Sequence, residues 1–213
     1  MRNTDRAPAA MPLELAAFLG NPGEVYARNR HNAGRLAAEK LSFYAALNWR
    51  NKFKGCYAEQ DIPPQARFIM PETYMNRSGE AVAAAAAFFK IQAGDIIVVH
   101  DELELHLGTV SLKFGGGLGG HNGLRSLRET LGTADFWRLR IGIGRPGDRE
   151  PGRGGGPEHH GDIALWVLQD FSAAEQPLLD QSLEAAAGLL VEAFRREPAG
   201  LLPEWAKKRC LPA

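Results

Sequence analysis

The feature that most constrains the fold of this chain is a glycine-rich stretch, Phe-Gly-Gly-Gly-Leu-Gly-Gly-His-Asn-Gly, at residues 114–123. Glycine has no Cβ atom, so such a loop can adopt positive φ angles and lets another group approach the main chain. Leu124, Leu127 and Leu131 follow with the spacing of a helix stripe, which predicts a helix where the loop ends. We therefore expect backbone N–H groups at this helix N-terminus to face a phosphate. Taken alone, this stretch is also consistent with a glycine-rich turn that has a purely structural role.

The hydrophobic pattern predicts an α/β fold: one domain with a mixed, twisted sheet flanked by helices. The predicted strands are residues 13–19, 54–58, 67–70, 96–99, 109–114, 138–143 and 167–168. Helices are predicted at residues 32–47, at the alanine-rich residues 78–89 with Ser78 as N-cap, and from a Ser172-x-x-Glu175 capping box onward.

Beyond these elements, we expect residues 1–12 to be a flexible N-terminal extension, followed by one domain over residues 13–213. Residues 62–64 are predicted to form a turn. Residues 150–161 are predicted to form a flexible glycine-rich insert.

Charge and cysteine content set broad limits on function. Lys and Arg together number 25, as do Asp and Glu, so an RNA-binding chain of this composition must concentrate its basic side chains locally. Cys56 and Cys210 are too far apart in sequence to indicate a disulfide framework or metal site. Residues 1–12 lack the apolar core of a signal peptide, and no apolar run has membrane-spanning length. We expect a cytoplasmic monomer.

Several polar residues directly follow predicted strands, where ligands collect in open α/β sheets. Asn21 and Asp101 are two of them, and His31 lies in the loop that begins at Asn21. Histidine has an ordinary pKa near 6.5 and suits a general base, while a carboxylate on its other nitrogen would fix the tautomer. Asn76 and Asn122 add amides that can orient water and substrate. No G-x-S-x-G nucleophile elbow is present, so we predict a water-activating His-Asp pair.

Each candidate has a plainer interpretation when taken alone. His31 is consistent with a surface residue or a helix cap, and Asp101 is consistent with a residue that caps the next turn. Asn122 fits a helix N-cap, and Arg138 and Arg140 fit the exposed face of a strand. The adjacent histidines at 159 and 160 have no third ligand nearby and fit a loop better than a metal site. We predict no metal and no cofactor.

An ordered series of motifs resembles the bacterial-type peptidyl-tRNA hydrolases from about residue 15 to the C-terminal helix. The motifs are Leu-Gly-Asn-Pro-Gly at 19–23, Tyr-Ala-Arg-Asn-Arg-His-Asn-Ala-Gly at 26–34, Thr-Tyr-Met-Asn-Arg-Ser-Gly at 73–79, His-Asp-Glu-Leu at 100–103, the loop at 113–123, and Arg-Leu-Arg-Ile-Gly-Ile-Gly-Arg-Pro-Gly at 138–147. The resemblance implies hydrolysis of the ester that joins a peptide, or any N-blocked aminoacyl group, to the terminal ribose of tRNA.

The same resemblance implies roles for single residues. His31 would be the base, Asp101 its support, and Asn21 the residue that distinguishes blocked from free aminoacyl groups. Asn76 and Asn122 would bind substrate. Further contacts to the substrate end and to tRNA phosphate are implied for the following residues: Tyr26, Tyr74, Met75, Lys113, His121 and Arg140.

This chain departs from the family pattern in two places. Ser111, two residues before Lys113, stands where relatives usually carry a second basic residue, which implies weaker phosphate binding or compensation by Arg138 or Arg145. The insert at residues 150–161 looks longer than the usual connection before the predicted strand at 167–168.

Two other functions stay open. One is an RNA-binding splicing factor of the same fold without hydrolase activity, against which the retained His31, Asp101 and Asn21 argue. The other is a generic α/β esterase or amidase, which the missing nucleophile elbow disfavours.

Overall fold

The computed structural model describes residues 13–61, 65–147 and 162–210. The predicted N-terminal extension, the turn at residues 62–64 and the glycine-rich insert with its histidines at 159 and 160 lie outside the described residues.

Within these ranges, eight strands form one mixed sheet in the order β2-β3-β4-β1-β5-β7-β6-β8. The strands are β1 (Leu15–Phe18), β2 (Arg50–Lys52), β3 (Gly55–Gln60), β4 (Ala66–Pro71), β5 (Ile96–Glu102), β6 (Thr109–Phe114), β7 (Trp137–Gly142) and β8 (Lys208–Arg209). The central strands β4, β1, β5 and β7 are parallel, and the outer strands pair antiparallel. The predicted mixed sheet is confirmed.

Helices cover both faces of this sheet. They are α1 (Ala33–Glu39), α2 (Ser78–Phe89), α3 (Asn122–Leu131), α4 (Ile163–Val167), α5 (Gln176–Arg195) and α6 (Leu202–Trp205). Residues of α1 and α5 share one hydrophobic core with Phe18 and Val99, whereas residues of α2 and α3 share the other with Leu15 and Val98. Successive strand residues point to opposite faces, so burial on both faces explains the uninterrupted apolar run in β5.

Two predicted elements differ clearly from the structure. The first helix ends at Glu39 and not at residue 47, yet Leu41 and Leu47 are still buried in the same core because turns return them to it. The predicted strand at residues 167–168 is wrong, since α4 covers Ile163–Val167. The Asp162 carboxylate caps that helix by accepting from Ala164 N at 2.8 Å.

The start of α2 and the end of β5 also shift. Ser78 is the first helical residue and not the N-cap, and its buried hydroxyl contacts Met75 Sδ at 3.9 Å. β5 continues through Glu102, so Asp101 lies inside the strand and not after it. Asp101 is paired with Ile141 of β7, and the pairing continues at Glu102, so the strand is a rigid support for its side chain.

Of the predicted Ser172–Glu175 capping box, the contact of the Glu175 carboxylate with the Ser172 N–H is present, but α5 begins at Gln176 with Glu175 as its N-cap. Ser172 donates from both its backbone N and its Oγ to Glu175 Oε2, each at 2.8 Å. α5 has 20 residues, but neither it nor another helix in the described ranges combines the length and apolarity needed to cross a bilayer.

Candidate active site

The structure brings two predicted residues, His31 and Asp101, into direct contact. His31 Nδ1 lies 3.0 Å from Asp101 Oδ1 and 3.1 Å from Oδ2, and both side chains are buried. Because a carboxylate only accepts, the imidazole carries a proton on Nδ1, and Nε2 keeps its lone pair. Burial alone would lower the pKa of His31, but the charge and hydrogen bond of Asp101 raise it above its ordinary value. The pair has the geometry of a supported general base.

A short turn, Arg30–Asn32, carries His31 to the end of β1. Asn32 fixes this turn, since its Oδ1 accepts from Asn21 N at 2.8 Å and its Nδ2 donates to Asn21 O at 3.0 Å. The amide of Asn32 therefore links the predicted residue Asn21 to the segment that holds the base.

Close packing of α1 brings the base to Asp101. Gly34 lies against the carbonyl oxygens of Leu19 and Val99, and a Cβ atom there would collide with both. The lack of a side chain at Gly34 thus lets α1 approach the ends of β1 and β5, and His31 immediately precedes this helix.

His121 is a second histidine on Asp101, and its contacts differ from the prediction. Its Nε2 lies 3.0 Å from Asp101 Oδ1, while its Nδ1 accepts from the backbone N–H groups of Gly123 at 3.1 Å and Leu124 at 3.4 Å. Since Nδ1 accepts, the ring proton is on Nε2 and is donated to Asp101. Both nitrogens are in use, so the predicted contact of His121 with tRNA phosphate does not fit the geometry.

The same ring occupies the predicted phosphate site at the start of α3. Its Nδ1 takes the N–H groups of Gly123 and Leu124, which would otherwise be free to bind an anion. His121 is therefore the N-cap, and the N-cap interpretation of Asn122 is wrong. Asn122 is the first helical residue, and its side chain is exposed and available to a substrate.

His31, Asp101 and His121 form a grouping that is close enough to be tested as a metal site. Their nearest ligand atoms all lie within 4.8 Å of one another. However, His121 Nε2 directs a proton and not a lone pair toward Asp101, because its Nδ1 is committed to the helix N-terminus. The three residues fit a hydrogen-bonded network better than a cation.

A cavity of about 360 Å³ opens beside His31 and Asp101. One wall is formed by α4, and the glycine-rich loop forms part of another. The apolar lining residues are Leu103, Leu118, Ile163, Ala164 and Val167. The cavity thus combines a polar catalytic pair with an apolar wall, as ligand sites commonly do.

Asn21 has a fixed amide orientation. Its Oδ1 accepts from the backbone N of Met75 at 2.8 Å, which leaves Nδ2 as the donating end. Met75 itself is only 4% exposed, and its side chain belongs to the core. Met75 contributes to the site through its main chain.

The remaining predicted substrate residues are on the surface near the same sheet edge. Tyr74 is 61% exposed and Asn76 is exposed, and both lie just after β4, which runs parallel to β1. Tyr26 is partly exposed in the turn that follows Asn21. Parallel strands end at one edge, so these residues lie at the same sheet edge as Asn21.

Lys113, Arg138 and Arg140 form a basic cluster on one face of the sheet. In the β6–β7 register Lys113 lies opposite Arg138, and Arg140 lies two residues further on. Desolvation and the nearby arginine charges lower the pKa values of Lys113 and Arg138. Glu102 offsets part of this charge, with its Oε2 at 3.5 Å from Arg140 Nη1.

Arg138 is buried without full pairing. Its Nη1 donates to Gly117 O at 2.7 Å, but its Nε and Nη2 have no partner among the residues that the structure describes. Gly116, with φ of 83°, passes between the cations: a Cβ there would lie 3.3 Å from both Lys113 Nζ and Arg138 Nη2. The glycine loop thus lets its backbone pass close to two positive groups.

Ser111 has a different role from the one its motif position implied. It is fully buried, accepts from Arg140 Nη2 at 2.7 Å, and donates to the carbonyl of Ala206. Ser111 is therefore a buried hydrogen-bond partner of Arg140. Ser111 orients Arg140, and a longer basic side chain at this position would have to displace the segment around Ala206.

Comparison with known proteins decides the family. The sequence profile of the peptidyl-tRNA hydrolase family matches residues 15–209. The chain belongs to the peptidyl-tRNA hydrolase family. It is 46% identical over 208 residues to a peptidyl-tRNA hydrolase of Treponema pallidum (strain Nichols), covering 94% of this chain and 98% of that one. A peptidyl-tRNA hydrolase of Azoarcus sp. (strain BH72) is 43% identical, with the match covering 84% of this chain and 77% of that one.

Solved structures of the family have the same fold. An Arg-to-Gln mutant of peptidyl-tRNA hydrolase from Acinetobacter baumannii superposes with a TM-score of 0.82 at 32% identity, covering 96% of this chain and 100% of that one. A complex of peptidyl-tRNA hydrolase with N-propanol has a TM-score of 0.81 at 33% identity, with coverage of 94% and 97%.

Within this family member, the glycine-rich loop takes an unexpected route. Because β6 is antiparallel to β7, the loop leaves the sheet near Trp137, at the edge opposite to the one where Asp101 lies. Residues 115–121 then return along the sheet to deliver His121. Trp137 is level with Ile97, and the four positions from Ile97 to Asp101 span about 13 Å at a strand rise of 3.3 Å per residue.

Sequence reasoning also missed polar residues that organise the site. His100 is fully buried, its Nδ1 lies 2.6 Å from Asp101 O, and burial with the neighbouring His121 lowers its pKa well below the ordinary value. The position of His100 at the end of the apolar run of β5 is the sequence signal that could have identified it as a buried polar residue. Asn32 and Arg30 flank His31 in a quoted motif, but their distant partners were not readable from local sequence.

Proposed function

We propose that this protein hydrolyses the ester bond of peptidyl-tRNA and other N-blocked aminoacyl-tRNAs, using a water molecule activated by His31. Family membership supports the substrate, and the contact between His31 Nδ1 and Asp101 supports the mechanism. Of these, the His31–Asp101 pair beside an open cavity is the observation that carries the chemistry.

The reaction needs one proton acceptor that later becomes a donor. His31 Nε2 takes a proton from water as the water oxygen attacks the ester carbonyl carbon, and Asp101 stabilises the resulting imidazolium. When the tetrahedral intermediate collapses, the ester C–O bond breaks and His31 returns the proton to the ribose oxygen. The products are free tRNA and a peptide with a free carboxyl group, so atoms and charges balance without an additional reactant.

The direct test is release of N-acetyl-amino acid from purified N-acetyl-aminoacyl-tRNA, with free aminoacyl-tRNA measured alongside. We expect rapid hydrolysis of the blocked substrate and slow hydrolysis of the free one. Binding of tRNA without release of the acyl group would instead indicate the non-catalytic RNA-binding relative.

Asn21 provides the discrimination between these substrates. Met75 N holds its Oδ1, so the amide presents Nδ2 as a donor. A donor can pair with the amide carbonyl of a blocked substrate but opposes a free ammonium group, which also only donates. We expect Asn21→Asp, which replaces the donor with an acceptor, to narrow the rate ratio between blocked and free substrates roughly tenfold.

The measurement is kcat/KM for both substrates with wild-type protein and Asn21→Asp. Asn51→Asp is the matched control, since it adds the same charge at an exposed position on the outer strand β2. An equal loss for both substrates in Asn21→Asp would show that Asn21 supports the fold or the base and does not select the substrate.

The basic cluster of Lys113, Arg138 and Arg140 binds a phosphate of the tRNA. Three cations face one partly compensating carboxylate, Glu102, and Arg138 has unpaired N–H groups, which together favour an anion. The cluster replaces the site first expected at the start of α3, because His121 fills that position.

We expect Lys113→Ala to raise KM for tRNA substrates severalfold and to lower the salt dependence of binding by about one phosphate contact, with little change in kcat. Lys207→Ala, in the exposed C-terminal segment, is the matched control. Titration of tRNA binding against salt concentration checks the result. Loss of the salt dependence in Lys207→Ala but not in Lys113→Ala would assign the phosphate contact to the C-terminal segment instead.

A further inference from the structure

The turn that carries His31 is tied to the C-terminal part of the chain by a buried ion pair. Arg30, the residue before His31, is only 4% exposed. Its guanidinium donates to both carboxylate oxygens of Glu175, from Nη1 at 3.0 Å and from Nη2 at 2.9 Å. A two-point contact of this kind fixes the orientation of the arginine as well as its distance.

Two aromatic rings lie against the same guanidinium. Arg30 Cζ is 3.8 Å from the ring centre of Trp166 and 4.7 Å from that of Phe171. Trp166 is in turn anchored to the sheet, because its indole N–H donates to Gly144 O at 2.9 Å, just beyond β7. A desolvated cation on an aromatic face is held by the ring electrons, so Arg30 has little freedom to move.

The main chain makes the same connection. Arg30 N donates to Gln169 O at 3.0 Å, and Asn29 forms an antiparallel bridge with Asp170. The Asn29 side chain also donates to the carbonyl of Leu168. Asn29 and Arg30 are thus bonded to the segment that directly follows α4, the helix that forms a wall of the cavity beside His31.

Glu175 remains an ionised partner for this contact. Ser172 donates two further hydrogen bonds to it, each at 2.8 Å. Burial alone would raise the pKa of Glu175, but the bonds from Arg30 and Ser172 hold it below the ordinary value. One carboxylate therefore binds both Ser172, in the turn that precedes α5, and Arg30, the residue before the base.

We propose that Arg30 and Glu175, together with Trp166, are positioning residues that hold His31 against Asp101 and set its place relative to the α4 wall. This inference rests on the proposed role of His31 as the base. The turn Arg30–Asn32 has three residues, so a small movement of Arg30 passes directly to the 3.0 Å contact between His31 and Asp101. Misplacement of a catalytic group by about 1 Å can cost on the order of 10²-fold in rate.

The test uses Glu175→Gln, which keeps the size of the side chain but removes its charge, and Arg30→Lys, which keeps the charge but removes the two-point contact. We expect kcat with N-acetyl-aminoacyl-tRNA to fall about tenfold in each, while KM changes less than twofold. The acidic limb of the kcat–pH profile should also move to lower pH, because His31 loses part of its contact with Asp101. The loss of kcat in the double variant should be about the same as in either single variant, since both substitutions break the same contact.

Asp180→Asn is the matched control, because it breaks the Lys40–Asp180 ion pair, which joins the end of α1 to α5 away from His31. We expect its kcat and pH profile to match wild type. Circular dichroism and thermal melts report folding in every variant. Unchanged kcat and pH profile per folded molecule in Glu175→Gln and Arg30→Lys would overturn the proposal and leave a purely stabilising pair.

If these substitutions prevent folding, Trp166→Phe provides a milder variant that keeps a ring beneath Arg30 and removes only the bond to Gly144. A lower kcat with unchanged KM in this variant supports the proposal, and an unchanged kcat contradicts it. The activity of His31→Ala tests the proposed function separately. A failure of the proposed function can therefore be distinguished from a failure of the positioning role of Arg30 and Glu175.

Discussion

Replacing His31 with alanine is expected to lower kcat by about 10²-fold or more, the usual scale of general-base catalysis, while tRNA binding is retained. The physical reason is that Nε2 is the ring nitrogen left with a lone pair once Nδ1 donates to Asp101. The basic cluster around Lys113 and Arg140 is on a different part of the sheet and is not altered by the substitution. Single-turnover hydrolysis and a separate tRNA-binding titration check the two expectations.

A control substitution removes a histidine that is not in the site. His106 is exposed in the loop between β5 and β6, and His106→Ala should hydrolyse the substrate at close to the wild-type rate. Near-normal turnover in His31→Ala, with the protein folded, would contradict the proposed mechanism even though family membership would stand.

Local sequence patterns predicted much of the fold because they report burial. The strand at residues 109–114 has the predicted bounds, and the alanine-rich helix ends at Phe89 as predicted. The continuous apolar run of β5 identified a strand covered on both faces. These signals depend on the environment of each residue and not on distant partners.

Strand direction could not be read in the same way. Apolar alternation is the same for parallel and antiparallel strands, so the pattern of residues 109–114 gave no sign that β6 reverses direction. This reversal moves Lys113 and Arg138 away from the edge where Asp101 lies. The short helix α4 was also missed, because its Asp162 cap and its Trp166 bond to Gly144 are tertiary features that override the strand-like run of apolar residues.

The same distinction between local sequence patterns and tertiary contacts applies to the candidate site. His31 and Asp101 could be paired from the sequence because one residue type needs the other for this chemistry. Asp101 follows a predicted strand, and His31 lies in the loop that begins at Asn21 after another. The tautomer of His121 could not be predicted, since it depends on which N–H groups meet Nδ1. Arg30 and Glu175 are separated by 145 positions, and only the folded chain reveals that they meet.

Substitution of Asp101 by asparagine is expected to reduce kcat strongly, up to about 10⁴-fold, the loss associated with replacing the acid of a hydrolytic triad by its amide. Asp101 is ionised in the fold: burial alone would raise its pKa, but His31 and His121 hold it well below the ordinary value. Its two oxygens lie 3.0 and 3.1 Å from His31 Nδ1. An amide nitrogen placed at either oxygen position opposes the proton on Nδ1 and favours the tautomer that blocks Nε2.

The pH profile separates this effect from simple unfolding. A base acts when neutral, so activity is lost as pH falls through the pKa of His31, which Asp101 raises. Without that carboxylate the pKa of His31 falls, and the acidic limb of the residual activity should move to lower pH while the plateau is reduced. Asp101→Glu, which keeps the charge on a longer side chain, should retain more activity than Asp101→Asn and keep the limb close to its wild-type position. If Asp101→Asn lowered the plateau but left the limb unmoved, His31 would not be the group whose titration controls the reaction, and the base would have to be sought among other residues around the cavity.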